Sequence, residues 1–202
     1  MVTIYHARRA RSARIIWLLE ELGVPYQLQL LEFKPEALQN PEYLKLQPLG
    51  QIPAIRDGAV SMFESGAIVQ YLLEKHGETR LAPAAGTAAR PEYLQWFHFG
   101  EASLAVYVSL IVRERFGKAG EAPNEYSLAA ARQRFCAAAS VIDGALSGRA
   151  FICGDRFSAA DIMVSYGLVM ARIIRELPGE LSNVASYLER LKQRPGYEKA
   201  WS

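Results

Sequence analysis

Apolar positions along the chain change their period near residue 90. Before it, alternating and helical runs are interleaved. Thr3 to His6 suits a strand, and Arg11 to Leu22 puts Ile15, Leu18, Leu19 and Leu22 on one helical face before Gly23-Val24-Pro25 ends the helix. Tyr26 to Leu31 alternates as a second strand. A loop carrying Pro35, Pro41 and Pro48 leads to a strand over 54–57. The Asp57-Gly58 turn, a hairpin partner over 59–63 and a helix from Glu64 to His76 follow.

Gly77 to Arg90, with Pro83, Gly86 and several alanines, reads as a linker. Beyond it the pattern is helical throughout. From Pro91 to Gly117, Leu94, Phe97, Leu104, Val108 and Ile111 recur at helical spacing, and a second helix runs from about Ser127 to Leu146. Ser158 and Asp161 form a capping box for a third helix, with Phe157 stapled to Ile162, and its all-round apolar character predicts a place inside a bundle. A fourth helix carries Val184, Tyr187, Leu188 and Leu191, and a short tail follows Pro195. The β-α-β, loop, β-β-α order of the first part predicts a thioredoxin-like α/β domain over residues 1–79, followed by an all-α helical bundle over 88–202.

The segment Gln51-Ile52-Pro53-Ala54-Ile55 predicts a buried strand entered through an Xaa-Pro bond. Glu64-Ser65, eleven residues beyond Pro53, opens a helix whose first N–H groups attract negative charge. A peptide-like ligand bearing an ammonium and a carboxylate suits this arrangement. Ile52 offers its main chain, Glu64 an anion, and Ser65 with the helix end the donors for a carboxylate.

Composition narrows the alternatives. The 202 residues are 50% hydrophobic and 22% charged, with a net charge of +2, ordinary values for a globular chain. Nucleic acid is disfavoured, because no basic stretch is interleaved with aromatics. The strongly apolar run from Ile162 to Ala171 is too short for a membrane span, which takes about 20 residues. The chain enters its first strand at once, without a charged and apolar leader, so the expected location is cytoplasmic. Cys136 and Cys153 lack metal-ligand spacing, His6 and His98 have no nearby ligand partners, and no metal site is expected.

These features resemble the glutathione S-transferase family over essentially the whole chain. The specific parts are Pro48-Leu49-Gly50-Gln51-Ile52-Pro53, Glu64-Ser65, the helix Arg14-Ile15-Ile16-Trp17-Leu18-Leu19-Glu20-Glu21-Leu22-Gly23 and Phe157-Ser158-Ala159-Ala160-Asp161-Ile162. The first helix is most similar to those of bacterial and fungal members. The resemblance implies a cis peptide before Pro53 and glutathione as co-substrate, without a prosthetic group. It further implies a detoxifying transferase that conjugates the thiol to hydrophobic electrophiles or reduces organic hydroperoxides, working as a homodimer. Gln51, Ile52, Pro53, Glu64, Ser65 and Arg11 are then the glutathione-binding candidates. Phe99, Tyr107 and Ile111 are candidates for an apolar wall receiving the electrophile between the domains. A non-catalytic glutathione- or protein-binding module of the same fold is the alternative.

In serine- and cysteine-type members of the family, the group that activates the thiol stands four residues before the arginine matched by Arg14. Here that position is Ala10. Three substitutes follow: the hydroxyl of Ser12, the phenol of Tyr5 as in the tyrosine-type classes, or backbone N–H groups around Arg11 and Ser12. With no cysteine in residues 1–76, a mixed disulfide at the usual position is excluded, which disfavours glutaredoxin-like thiol transfer. Arg8, Arg9, Arg11 and Arg14 make the neighbourhood positive.

Overall fold

The structure, a computed structural model, describes residues 1–117 and 122–202. It divides into two compact units, residues 1–81 with 192–202, and residues 82–191.

The first unit is built on a four-stranded mixed sheet in the order β2-β1-β3-β4, with β1 Val2–His6, β2 Tyr26–Leu30, β3 Ala54–Asp57 and β4 Val60–Phe63. β1 and β2 are parallel, so a crossover must join them, and α1 (Ala13–Leu22) supplies it. α1 begins later than the apolar pattern predicts. Residues 10–12 form tight i→i+3 turns, with Ala13 N–H on Ala10 O and Arg14 N–H on Arg11 O, before the helix settles. Every residue from Ala13 to Leu19 is buried, and Gly23 ends the helix at φ 67°.

Three segments read as irregular contain short helices. The proline loop folds into α2 (Pro35–Leu38) and α3 (Pro41–Leu44), and each proline takes the first helical position, where its missing N–H costs nothing. After α4 (Ser65–His76), the linker begins with α5 (Glu78–Leu81). The tail forms α11 (Pro195–Trp201), which packs on α1 within the first unit, not with the helical domain to which the sequence pattern assigns it. Arg194 holds Glu21 through two bonds of 2.8 and 2.5 Å, and Tyr197 meets Trp17 edge to face at 5.3 Å.

The second unit holds α6 (Arg90–Phe99), α7 (Val106–Phe116), α8 (Glu125–Ala145) and α9 (Ala159–Ile173), with most of α10 (Ser182–Lys192). The continuous helix expected from Pro91 to Gly117 is interrupted by a π-helical turn over Gly100–Ala105. At Gly100 the chain crosses α9 so closely that a Cβ would lie 2.5 Å from the carbonyl carbon of Met163, so no larger residue fits there. α9 is buried from Ala159 to Ala171. At its start the Asp161 carboxylate accepts from the N–H of Ile152 and of Ser158, from the Ser158 hydroxyl and from Tyr187.

Candidate functional site

Three segments of the first unit converge at one end of its sheet. Register places Tyr5 of β1 opposite Ala54 of β3, and Ala54 opposite Phe63 of β4. Both ladders end at Ala54, so Pro53 directly precedes β3 at the end of the sheet where β1 passes into the β1–α1 connection and where Glu64 directly follows β4. The β3–β4 hairpin therefore returns Glu64 and Ser65 to the end of the sheet at which Ile52 and Pro53 enter, although the sequence separates Pro53 from Glu64 by eleven residues.

The Ile52–Pro53 bond is cis, and Ile52 lies ahead of the first paired residue of β3. Its main chain is outside the ladder. The approach to it is braced from below. Tyr43 donates its hydroxyl to the carbonyl of Gln51 at 2.5 Å, and the buried Gln47 accepts the N–H of Leu49 at 2.7 Å. Gly50 adopts φ 59°, and a Cβ there would meet Leu38 O at 2.8 Å. Burial, with a smaller contribution from the nearby Tyr5 phenol, pushes the Tyr43 pKa up to about 12, so it remains a donor across the ordinary pH range. Tyr43 and Gln47 brace the chain ahead of Ile52, and the sequence pattern does not single them out. Tyr43 lies in a short helix too brief to show a period, and only its tertiary contact reveals the role.

Gln51 is exposed, whereas Ile52 and Pro53 are buried. Glu64 is exposed and takes φ 70°, a region that costs a non-glycine residue about 1 kcal/mol or more and is most often tolerated where function fixes the backbone. Ser65, the first residue of α4, is buried and accepts a bond of 3.0 Å from Nη1 of the buried Arg14. Arg11 is half-buried in the turn before α1.

The two hydroxyl candidates for thiol activation fall in different places. Ser12 has no exposed surface, and its Oγ lies 2.7 Å from Nδ1 of the buried His6. Burial, and secondarily the charge of Arg8, lowers the His6 pKa. The neutral form of the ring is therefore favoured at pH 7, and in either tautomer Nδ1 and the Ser12 hydroxyl share one hydrogen bond. The Ser12 side chain is thus buried against His6 and has no surface exposed to solvent. Tyr5, by contrast, is partly exposed. It packs against the cluster of Ala7, Ala10, Tyr43, Leu46, Ile52 and Ala54, with its ring 5.7 Å from that of Tyr43.

In the second unit Phe99 and Tyr107 are half-buried, Phe99 lying edge-on to Trp96 at 5.2 Å. Ile111 is fully buried, a core position and not the exposed wall expected of it. Glu64, Ser65, Arg11 and the residues around Ile52 belong to the first unit; Phe99, Tyr107 and Ile111 belong to the second. Among the described residues no cluster of three or more His, Cys, Asp or Glu side chains is arranged to hold a metal, and no helix is long and apolar enough to cross a membrane.

Comparison with known proteins agrees with this architecture. The family model for the glutathione S-transferase N-terminal domain matches residues 1–74, and that for the glutathione S-transferase C-terminal domain matches residues 125–190. Glutathione S-transferase 3 of Schizosaccharomyces pombe is 37% identical over 108 residues, 54% of this chain but only 44% of that protein, so the match spans less than half of that relative's length. Glutathione S-transferase 3 of Zea mays is 29% identical over 196 residues, covering 92% of this chain and 86% of that protein. A glutathione transferase of Phanerochaete chrysosporium, solved in complex with oxidized glutathione, superposes with a TM-score of 0.87 at 26% identity, over 99% of this chain and 94% of that one.

Proposed function

Because the chain belongs to the glutathione S-transferase family, we propose that the converging end of its sheet binds glutathione and activates the thiol for transfer to a hydrophobic electrophile or for reduction of an organic hydroperoxide. The observation that supports this reading is the β3–β4 register, which returns Glu64 and Ser65 to the end of the sheet at which the braced Ile52–Pro53 segment enters. The Ile52 main chain pairs with the cysteinyl backbone. Glu64 receives the γ-glutamyl ammonium, and Ser65 with the α4 N–H groups receives the γ-glutamyl carboxylate. Gln51 and Arg11 border the same end of the sheet. Tyr5 is the side-chain donor to the thiolate, whose unperturbed pKa is about 8.5, and Ser12 supports the loop from inside. Glutathione is a co-substrate; the working form is a cytoplasmic homodimer in which Phe99 and Tyr107 contribute to the electrophile's apolar surroundings.

Calorimetric titration of glutathione into the wild type and into the Glu64→Ala, Ser65→Ala double variant tests the binding step. Undiminished affinity in the double variant would place the ligand elsewhere. A second reading, glutathione binding without catalysis, is favoured by Ala10 at the usual donor position and by the full burial of Ser12. Absorbance titration of the bound thiol separates the two, since a bound pKa of about 8.5 means no activation.

A further inference from the structure

We propose that Arg14 is a positioning residue for the γ-glutamyl carboxylate, acting through Ser65; the proposal rests on the glutathione reading above. A guanidinium has donors only, whereas a hydroxyl has one donor and two acceptor sites. With Nη1 of Arg14 at 3.0 Å from the Ser65 oxygen, Ser65 must accept from Arg14, and its single O–H is left to donate elsewhere. One acceptor site of the hydroxyl is thereby occupied before any ligand arrives, which biases the side chain towards donating its O–H. Ser65 opens α4 beside Glu64, where the helix N–H groups also point outward, so hydroxyl and main chain present the same sign to one anion. Arg14 is itself buried, with 1% of its surface exposed, and cannot serve as a solvent-facing anion site. Its charge lies one hydroxyl behind the ligand position, in surroundings that screen it less than water does. Arg14 shares its positive segment with Arg8 and Arg9, but those two are exposed whereas Arg14 is buried with Nη1 bonded to Ser65.

A purely structural tie between α1 and α4 makes a different prediction, because its loss would weaken any ligand of the site alike. The discriminating pair of ligands is glutathione and 4-aminobutanoyl-cysteinylglycine, which lacks only the γ-glutamyl carboxylate. Dissociation constants for both are measured by calorimetry with wild type, Arg14→Met, Arg14→Lys and Ser65→Ala. Arg14→Met is expected to weaken glutathione on the order of tenfold and the truncated peptide less than twofold, with the bound thiol pKa unchanged. Arg14→Lys, which retains a charged donor, should lie between wild type and Arg14→Met, and it carries the same comparison if Arg14→Met does not fold. In the Ser65→Ala background, Arg14→Lys should leave the ratio of the two dissociation constants unchanged. Equal losses for both peptides, or no loss, overturn the proposal while leaving the glutathione site in place. A wild type that binds neither peptide overturns the glutathione reading and this proposal with it.

Discussion

Nδ1 of His6 lies 2.7 Å from Oγ of Ser12, joining the last residue of β1 to the turn that starts α1. Between them the chain runs through Ala7, Arg8, Arg9, Ala10 and Arg11, with Arg9 at φ 62° and Ala10 N–H bonded to Ala7 O. The pair closes this loop from the inside. The Ser12 hydroxyl lies against His6 with no exposed surface, which fits a structural part in this loop.

The two hydroxyl candidates should therefore separate experimentally. Tyr5→Phe is expected to raise the pKa of bound glutathione and to lower turnover about tenfold at pH 6.5, with a smaller loss at pH 9, where thiolate forms without help. Ser12→Ala should keep the wild-type pH profile and instead lose about 1–2 kcal/mol of stability, since it leaves the buried His6 nitrogen without its hydrogen-bond partner. Rate profiles over pH and denaturant unfolding of both variants provide the check. If Tyr5→Phe also keeps the wild-type profile, backbone N–H groups around Arg11 and Ser12 become the activating donors.

His6 also gives stability a pH dependence. Its folded pKa is lowered, so the unfolded chain binds the proton more readily than the folded one. The stability associated with the neutral ring is complete above the ordinary histidine value of about 6.5 and is lost as pH falls below that value and through the lowered folded one. Urea unfolding at pH 7.5 and 5.5 should show a larger loss for wild type than for His6→Asn. Equal losses in the two proteins would mean that other groups set the slope.

Tyr43→Phe tests the bracing of the Ile52 segment. The variant keeps the ring that packs on Tyr5 but removes the bond to Gln51 O. About 1 kcal/mol of stability and a several-fold loss in glutathione affinity are expected. Because the tyrosine pKa is about 12, the difference from wild type should be constant from pH 6 to 9. Calorimetry across that range measures it, and a difference that vanishes at either end contradicts the bracing role.

Much of this fold was legible because its signals are local. The Asp57-Gly58 turn, the apolar face of α1 and the Ser158–Asp161 pair each fall within a few residues, and the structure places each in the element it predicts. Short helices were not legible: α2, α3 and α5 have four residues each, too few to display a 3.6-residue period. The π turn at Gly100 arises from a close crossing with α9, and α11 from packing on Trp17 across nearly the whole chain length. Neither leaves a local mark. At the site, the motifs around Pro53 and Glu64 were readable, but the directions of hydroxyls were not. Ser12 turns to His6 and Ser65 to Arg14 through contacts that spacing alone does not determine.

Finally, the two cysteines should be dispensable for activity. Burial is the largest cause that pushes the Cys153 thiol up to about 12, with Asp161 next, and burial with Glu180 and Glu176 raises that of Cys136. Both thiols therefore remain protonated at neutral pH, and a protonated thiol is a poor nucleophile. Both also lie in the second unit, apart in sequence from the Ile52 and Glu64 motifs. A Cys136→Ala, Cys153→Ala protein is expected to retain glutathione-dependent conjugation of a chlorodinitrobenzene within about twofold, because no protein thiolate is available to share in the reaction. Alkylation of native protein by iodoacetamide at pH 7 should likewise be slow compared with that of free glutathione. Loss of turnover in the cysteine-free protein, with unfolding unchanged, would mean that a protein thiol takes part and that Tyr5 is not the group on which the chemistry depends.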